Sequence, residues 1–459
     1  LVSRLGYMIY CLGIRPESIL TVTYTVAATE DMRRRFAKIF GEEDAKRLEF
    51  RTINGISQKV LQYFAYRTQK TPFQVADKEA STAVKQSFLE VTGKYATEND
   101  IKETQLEITY AKNMRLTPEE IRDMDTEVEK FPEIFRTYNA KLRQMQMIDY
   151  DDQMIYALRI LEQYPEVLAY FREKYQYFCV DEAQDTSKIQ HDMMDLLAAK
   201  SRNLFMVGDE DQSIYGFRAA YPQALLDFEK DHKNAKALLM EENCRSNARI
   251  VERADHFIRK NTLRHKKEMH ATREPQQDVH VIELSSRGAQ YTYLAKVANG
   301  CSEQTAVLYR DNESVIPLVD LLEYEQIPYR IKNAELGFFT HRIVQDVRNI
   351  ITFALNPYDT ESFMQIYYKL NMYLKKLDAM QAVQISMERD IPVLDAAIGH
   401  CGLKARTVSS LKSIRTHLNH MRTEQAGRAI GRIVQYMGYR EYLERAGLKE
   451  NKVFILKNI

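Results

Sequence analysis

Apolar residues first recur at helical spacing, with Val2, Leu5, Ile9 and Leu12 on one stripe of a buried amphipathic helix. After the turn at Arg15-Pro16-Glu17, the β-branched run Ser18–Thr25 predicts a buried strand, and a helix carrying Met32 and Arg33 to Arg35 follows. From about Thr71 to Met147 the texture is helical and dense in charge, with Gly93 its only glycine. Within it, Thr117-Pro118-Glu119-Glu120 marks a helix start. Alternation then resumes. Tyr177–Val180 is a short apolar run ending in Asp181-Glu182, Ile189, Met193, Leu196 and Leu197 mark a helix, and Asn203–Val207 predicts a strand ending in Gly208-Asp209. Lys236–Met240 predicts a further strand, followed by Asn243-Cys244-Arg245-Ser246 and a helix over Asn247–Phe257. Ala306–Arg310 is the clearest later strand, and beyond Asn356-Pro357 the pattern is mostly helical. Asp181 and Asp209 stand 28 residues apart, which suits a strand-helix-strand unit of about 30. Strands alternating with helices predict parallel sheets, so the expected architecture is two α/β lobes, each with a helical addition.

Composition narrows the function classes. At about 150 residues per domain, 459 residues predict roughly three domains. With 45% hydrophobic and 28% charged residues the chain can bury a core, which excludes a disordered scaffold. Lys+Arg 65 against Asp+Glu 64 leaves a formal charge of +1, so any nucleic-acid contact must come from local placement of cations. Cys11, Cys179, Cys244, Cys301 and Cys401 form no CxxC pair, a usage that predicts a reducing, cytoplasmic setting. No apolar run reaches the ~18 residues of a membrane span.

Three strand ends carry the candidate chemistry. In open parallel sheets ligands bind outside the carboxyl ends of strands. The run VDEAQD supplies Asp181, Glu182, Gln184 and Asp185; adjacent carboxylates there suit phosphoryl transfer, one holding Mg²⁺ and the other orienting or deprotonating water. In Val207–Arg218, Gly208 permits a tight turn, Gln212 offers an amide to a phosphate or water, and Tyr215 and Phe217 flank a cation, Arg218. Aromatics beside a cation suit base stacking, although alternate core positions would give the same pattern. Arg245 precedes a helix whose cap is Ser246 or Asn247; it is placed to stabilise transition-state charge or is an ordinary surface arginine.

Taken together, these segments resemble motifs II, III and IV of the UvrD/Rep-type superfamily 1 DNA helicases. Ser18–Arg35 resembles motif Ia and Phe50–Ile56 motif Ib; the segment MIDYDDQMIYAL, Ala306–Ser314 and Gly337–Tyr358 also resemble that family. The resemblance runs nearly end to end and is weakest in the helical additions. It implies two RecA-like lobes of P-loop NTPase type. Residues 1–75 and 149–240 would form the first lobe and 76–148 its helical insertion. Residues 241–357 would form part of the second lobe and 358–459 its insertion. It further implies ATP and Mg²⁺ as cofactors, with Asp181 as metal ligand and Glu182 activating water. Gln212 would sense the γ-phosphate, Arg245 would reach it from the second lobe, and Gln184 and Asp185 would link nucleotide state to DNA. Tyr24, Tyr215 and Phe217 would sit against bases, with Thr23, Thr52, Arg218 and Arg310 along the strand. The implied activity is ATP-driven movement on single-stranded DNA and duplex unwinding, with 3′→5′ polarity and repair or recombination proteins as partners.

The sequence departs from the family in places. Cys244 replaces the aromatic before the motif IV arginine, Phe217 the motif III tryptophan, Val26-Ala27 an Asn-Lys pair and Asn54 a histidine. No G-x-x-x-x-G-K-[ST] occurs, and the resemblance implies that the chain begins just past that loop and stops before the late motifs. Without the loop lysine the phosphates lose their cradle, so this chain alone is expected not to hydrolyse ATP. Two rival readings are the motor arm of a helicase–nuclease and a non-catalytic DNA-binding relative of the fold. His417 and His420 have an HxxH spacing, but no cysteine or carboxylate pair completes a zinc site. The basic run Arg259–Lys267 reads equally as a phosphate contact or a solvated helix end.

Overall fold

A computed structural model describes residues 1–331, 337–448 and 451–458. The chain packs as two compact units, Leu1–His280 and Val281–Ile459.

In the first unit, β1 (Ile19–Thr23), β2 (Glu49–Thr52), β5 (Tyr177–Val180) and β6 (Leu204–Met206) form one parallel sheet in the order β2-β1-β5-β6. Its register sets Thr21 beside Cys179 and Val180 beside Met206. Every residue of β1 is buried, as expected of a strand covered on both faces. One face packs on Ile56, Val60, Leu158, Leu161, Phe171 and Met193. Leu5, Met32, Phe36 and Phe50 belong to a second cluster with Ile19 and Cys179. The first helix is Val2–Tyr10 and buries Leu5 and Met8; Leu12 lies past its end and is exposed.

Between the sheet strands stands a helical insertion entered at β3 (Gln74–Val75) and left at β4 (Met147–Ile148), which pair in parallel. Its helices, chiefly Lys78–Thr92, Glu98–Asn113 and Phe131–Gln144, close over Val84, Ile108, Phe131, Ile134 and Leu142. The predicted start at Thr117 is a capping box: its hydroxyl accepts the Glu120 amide at 3.2 Å while Glu120 accepts the Thr117 amide at 2.7 Å. A buried polar network ties this insertion to the helix Tyr150–Gln163. Lys112 Nζ lies 2.6 Å from Asp149 and 2.8 Å from Asp152, and Tyr138 donates to Asp149 at 2.7 Å. Asn113 bonds Asp151 at 2.7 Å and receives the Ser187 hydroxyl at 2.9 Å, just past the acidic strand end.

After β6 the chain pairs β7 (Glu242–Asn247) in parallel with β8 (His270–Arg273), joined through the helix Ala248–Ile258. The segment 241–280 stays with the first unit, held in part by ion pairs from Arg264 and Lys267 to Asp211 and Asp209. Two expected strands are not formed. Lys236–Met240 and Ala306–Arg310 have no ladder partner among the described residues, and Leu238, Met240 and Leu308 are more than four-fifths exposed. A parallel strand persists only with neighbours on its edges and layers on its faces, and neither run has them.

All the regular elements described in the second unit are helices, from Arg287–Gly300 to Asn451–Asn458. Its main core gathers Val347, Ile350, Phe353, Phe363, Leu411 and Ile433. Within it Lys369 and Asp346 pair at 2.6 Å, with the Tyr439 hydroxyl on the other carboxylate oxygen at 3.0 Å. His417 lies in this unit, its Nδ1 3.2 Å from Arg432 and its ring stacked on Tyr436.

Candidate nucleotide and nucleic-acid site

The sheet's carboxyl edge gathers the candidate residues. The Asp181 amide continues the ladder to Val22 O at 3.0 Å, and the Ala183 amide bonds Val207 O at 2.9 Å. Between them Glu182 takes a left-handed conformation, φ 49°, which a side-chain-bearing residue holds only when its surroundings impose it. A 3₁₀ turn over Ala183–Asp185 then buries Gln184 while Glu182 stays exposed.

Two carboxylates here lack full compensation. Burial, followed by the charge of Glu182, raises the Asp181 pKa, and a hydrogen bond from the Glu182 backbone amide only partly offsets the rise. Asp185 Oδ1 is buried without a partner, and burial, then Glu182, raises that group too. Partly buried carboxylates at a strand end, one with an oxygen left without a partner, fit a hard divalent cation such as Mg²⁺.

A chain of hydrogen bonds joins this turn to the next. Gln184 Nε2 donates to Glu182 Oε2 at 2.8 Å, and Gln184 Oε1 accepts the Asp209 amide at 3.0 Å. Gln212 Nε2 in turn donates to Asp209 Oδ2 at 2.7 Å. Gly208 makes room for this: a Cβ there would stand 2.7 Å from Leu225 Cδ1 and 2.8 Å from Gln184 Oε1. Behind the acidic turn, the Thr186 hydroxyl donates to Ala183 O at 2.7 Å and lies 2.6 Å from the buried His191 Nε2.

The carboxylates of Asp209, Glu210 and Asp211 converge within 4.8 Å of one another, a spacing that can hold a metal ion. Here their charge is met by the protein's own cations. Arg264 clamps Asp211 through Nε and Nη2 at 2.7–3.1 Å, and Lys267 Nζ lies 2.5 Å from Asp209 and 3.1 Å from Asp211. Burial raises the Asp211 pKa, but these two partners outweigh it and hold the carboxyl below its ordinary value.

Beside these loops an aromatic platform forms. Tyr24 and Tyr215 stack with centroids 6.1 Å apart, Phe217 lies 6.0 Å from Tyr215, and the Arg218 guanidinium sits 5.6–5.8 Å from both motif III rings. Phe217 is 57% exposed, leaving a ring face open to a base. Thr23 is buried and gives its hydroxyl to Thr25 O at 3.0 Å, whereas Thr52 caps a helix by accepting the Gly55 amide at 3.1 Å. Arg245 lies exposed on β7 within the first unit, its guanidinium unbonded among the described residues, and Asn247 supplies the helix cap. Arg310 belongs to the second unit and is exposed outside regular structure. Asp209 as a hub and Lys267 as its partner escaped the sequence reading; the basic run Arg259–Lys267 was visible, but nothing local showed where it lands.

A parallel α/β sheet with an acidic pair at one strand end and a carboxamide-bearing turn at the next defines the chain as a RecA-like P-loop NTPase domain. The chain belongs to the UvrD/REP helicase family: residues 1–233 match the UvrD/REP helicase N-terminal domain and residues 238–396 the UvrD-like helicase C-terminal domain. Among its relatives is the putative ATP-dependent DNA helicase YjcD of Bacillus subtilis, 28% identical over 99% of this chain and 60% of that protein. The ATP-dependent DNA helicase PcrA of Staphylococcus aureus is 26% identical over 98% of this chain and 64% of PcrA. PcrA of Staphylococcus epidermidis is likewise 26% identical, over 97% and 63%. The chain thus spans about three fifths of the length of these relatives. No helix of the described residues is long and apolar enough to cross a membrane.

Proposed function

We propose that this chain is the motor portion of an ATP-dependent DNA helicase and translocase that moves 3′→5′ on single-stranded DNA in the cytoplasm. The observation that carries the reading is the acidic pair at the end of β5, Asp181 partly buried with its pKa raised and Glu182 bonded through Gln184 to the turn that bears Gln212. Asp181 would hold Mg²⁺, which when bound supplies Lewis-acid stabilisation of phosphoryl oxygens. Glu182 takes a proton from the attacking water, Gln212 contacts the γ-phosphate, and Arg245 neutralises charge that develops there. Gln184 and Asp185 pass the state of this site to the neighbouring DNA face. On that face Tyr24, Tyr215 and Phe217 stack on bases, while Arg218 and Thr52 follow the backbone; Arg310 of the second unit would supply a further backbone cation. The 459-residue sequence holds no G-x-x-x-x-G-K-[ST] run, so this chain by itself is expected not to hydrolyse ATP.

The test is Glu182→Gln in the full-length protein. Hydrolysis should disappear while single-strand affinity stays within about twofold, since the charge removed lies off the stacking platform. Retained unwinding would mean that Glu182 is not the base. Mg²⁺-dependent turnover by the 459-residue chain would overturn the statement about the isolated chain.

A further inference from the structure

We propose that Lys267 is a positioning residue for the hydrolytic site, acting through the Asp209 carboxylate on the carboxamide of Gln212; this rests on the hydrolytic reading above. Lys267 lies in the segment between the helix Ala248–Ile258 and β8, far in sequence from motif III. Its ammonium has three donors, and three carboxylate oxygens surround it: Asp209 Oδ1 at 2.5 Å, Asp211 Oδ2 at 3.1 Å and Glu210 Oε1 at 3.4 Å. The Lys267 and Arg264 side chains are 11% and 9% exposed, so both are committed to this loop and withdrawn from any DNA phosphate. Lys266, between them, remains exposed.

Asp209 is the point where the clasp meets the chemistry. One carboxylate oxygen takes Lys267, the other takes Gln212 Nε2, and the backbone amide takes Gln184 Oε1. Gln212 is exposed, and Asp209 is the only described residue to which its side chain is hydrogen-bonded. The Gln212 rotamer is therefore tied to where the Asp209 carboxylate points. Without the ammonium, three carboxylates within 4.8 Å repel one another, and Asp209 is free to turn toward water. Gln212 then loses its fixed acceptor, while the Asp209 backbone amide keeps its bond to Gln184 Oε1.

The decisive experiment has two arms. In the full-length protein, Lys267→Met should lower kcat for ATP by about 10-fold to 100-fold, the scale of a misplaced catalytic group, with KM for ATP and single-strand affinity unchanged. Lys267→Arg should restore most of kcat. The double variant Lys267→Met/Gln212→Ala should be no slower than Gln212→Ala alone; losses that multiply would show that Lys267 does not act through Gln212 and would overturn the proposal. The second arm needs no turnover. In the 459-residue chain, Lys267→Met should speed amide hydrogen exchange at Gln212 by about tenfold while Phe178–Val180 keep their protection. Unchanged exchange in the loop would overturn the clasp even in an active enzyme. An inactive wild-type protein, by contrast, would sink the hydrolytic reading and leave the exchange result to decide what Lys267 holds.

Discussion

The buried side chain of Gln184 accepts the backbone amide of Asp209 at 3.0 Å, which locks the turn after β5 to the turn after β6. Its other end holds Glu182 at 2.8 Å, so one carboxamide spans the candidate base and the Gln212 loop. Gln184→Leu keeps the volume and removes both bonds, leaving the Asp209 N–H unpaired. The expected loss is about 1–3 kcal/mol, read as a lower urea midpoint with an unchanged slope.

Gly208 tests the same junction by shape. A methyl group at this position must displace Leu225 and the Gln184 carboxamide, both under 3 Å from a built Cβ. Gly208→Ala should cost about 1–3 kcal/mol of stability. It should also raise hydrogen exchange at Asp209, while Gly216→Ala, with open space around its Cβ, should change neither.

Lys112 anchors the helical insertion beneath the acidic turn. Lys112→Met leaves Asp149 and Asp152 facing each other in a buried site without their cation, and should destabilise the chain by about 3–5 kcal/mol in thermal unfolding. Burial lowers the Lys112 pKa, but the two aspartates outweigh it and raise the value overall. The stabilisation is therefore complete below the unfolded-state pKa of about 10.4 and is lost as pH rises through the higher folded value.

His191 predicts the acid limb. Burial depresses its pKa to about 4 from an ordinary 6.5, so the folded chain keeps it neutral where the unfolded chain is protonated. Its contribution is complete above about pH 6.5 and fades as pH falls toward 4, a difference of about 3 kcal/mol. His191→Gln should flatten the pH dependence of the unfolding midpoint over that window; an unchanged slope would assign the acid sensitivity to other groups.

Phe217 and Arg218 separate stacking from charge. Phe217→Ala should weaken single-strand binding by about 1–3 kcal/mol with the salt dependence intact. Arg218→Ala should lower the slope of log affinity against log salt by about 0.7, the value for one single-strand phosphate contact. Filter binding across a salt series distinguishes the two.

Much of the first unit was legible because its signals are local. Tyr177–Val180 forms the strand its apolar run predicts, Thr117 caps where its capping pattern says, and the acidic pair stands at a strand end. The strands expected at Lys236–Met240 and Ala306–Arg310 fail for the converse reason, since an apolar run states a preference and a ladder needs a partner. The Lys112–Asp149 and Lys267–Asp209 pairs join residues 37 and 58 positions apart, and nothing near either lysine in the chain distinguishes it from a solvated one.

What the sequence alone determined, then, was the chemistry on offer: a carboxylate pair, a carboxamide and an aromatic–cation run, each at the end of a strand that its own residues favour. Tertiary structure decided which groups work together. It set Glu182 in a left-handed turn, bonded it through Gln184 to Asp209, and withdrew Lys267 from solvent to hold that aspartate. The reason is physical: side-chain type and local periodicity are written in neighbouring residues, whereas the direction of a hydrogen bond and the burial of a charge exist only once distant segments have packed.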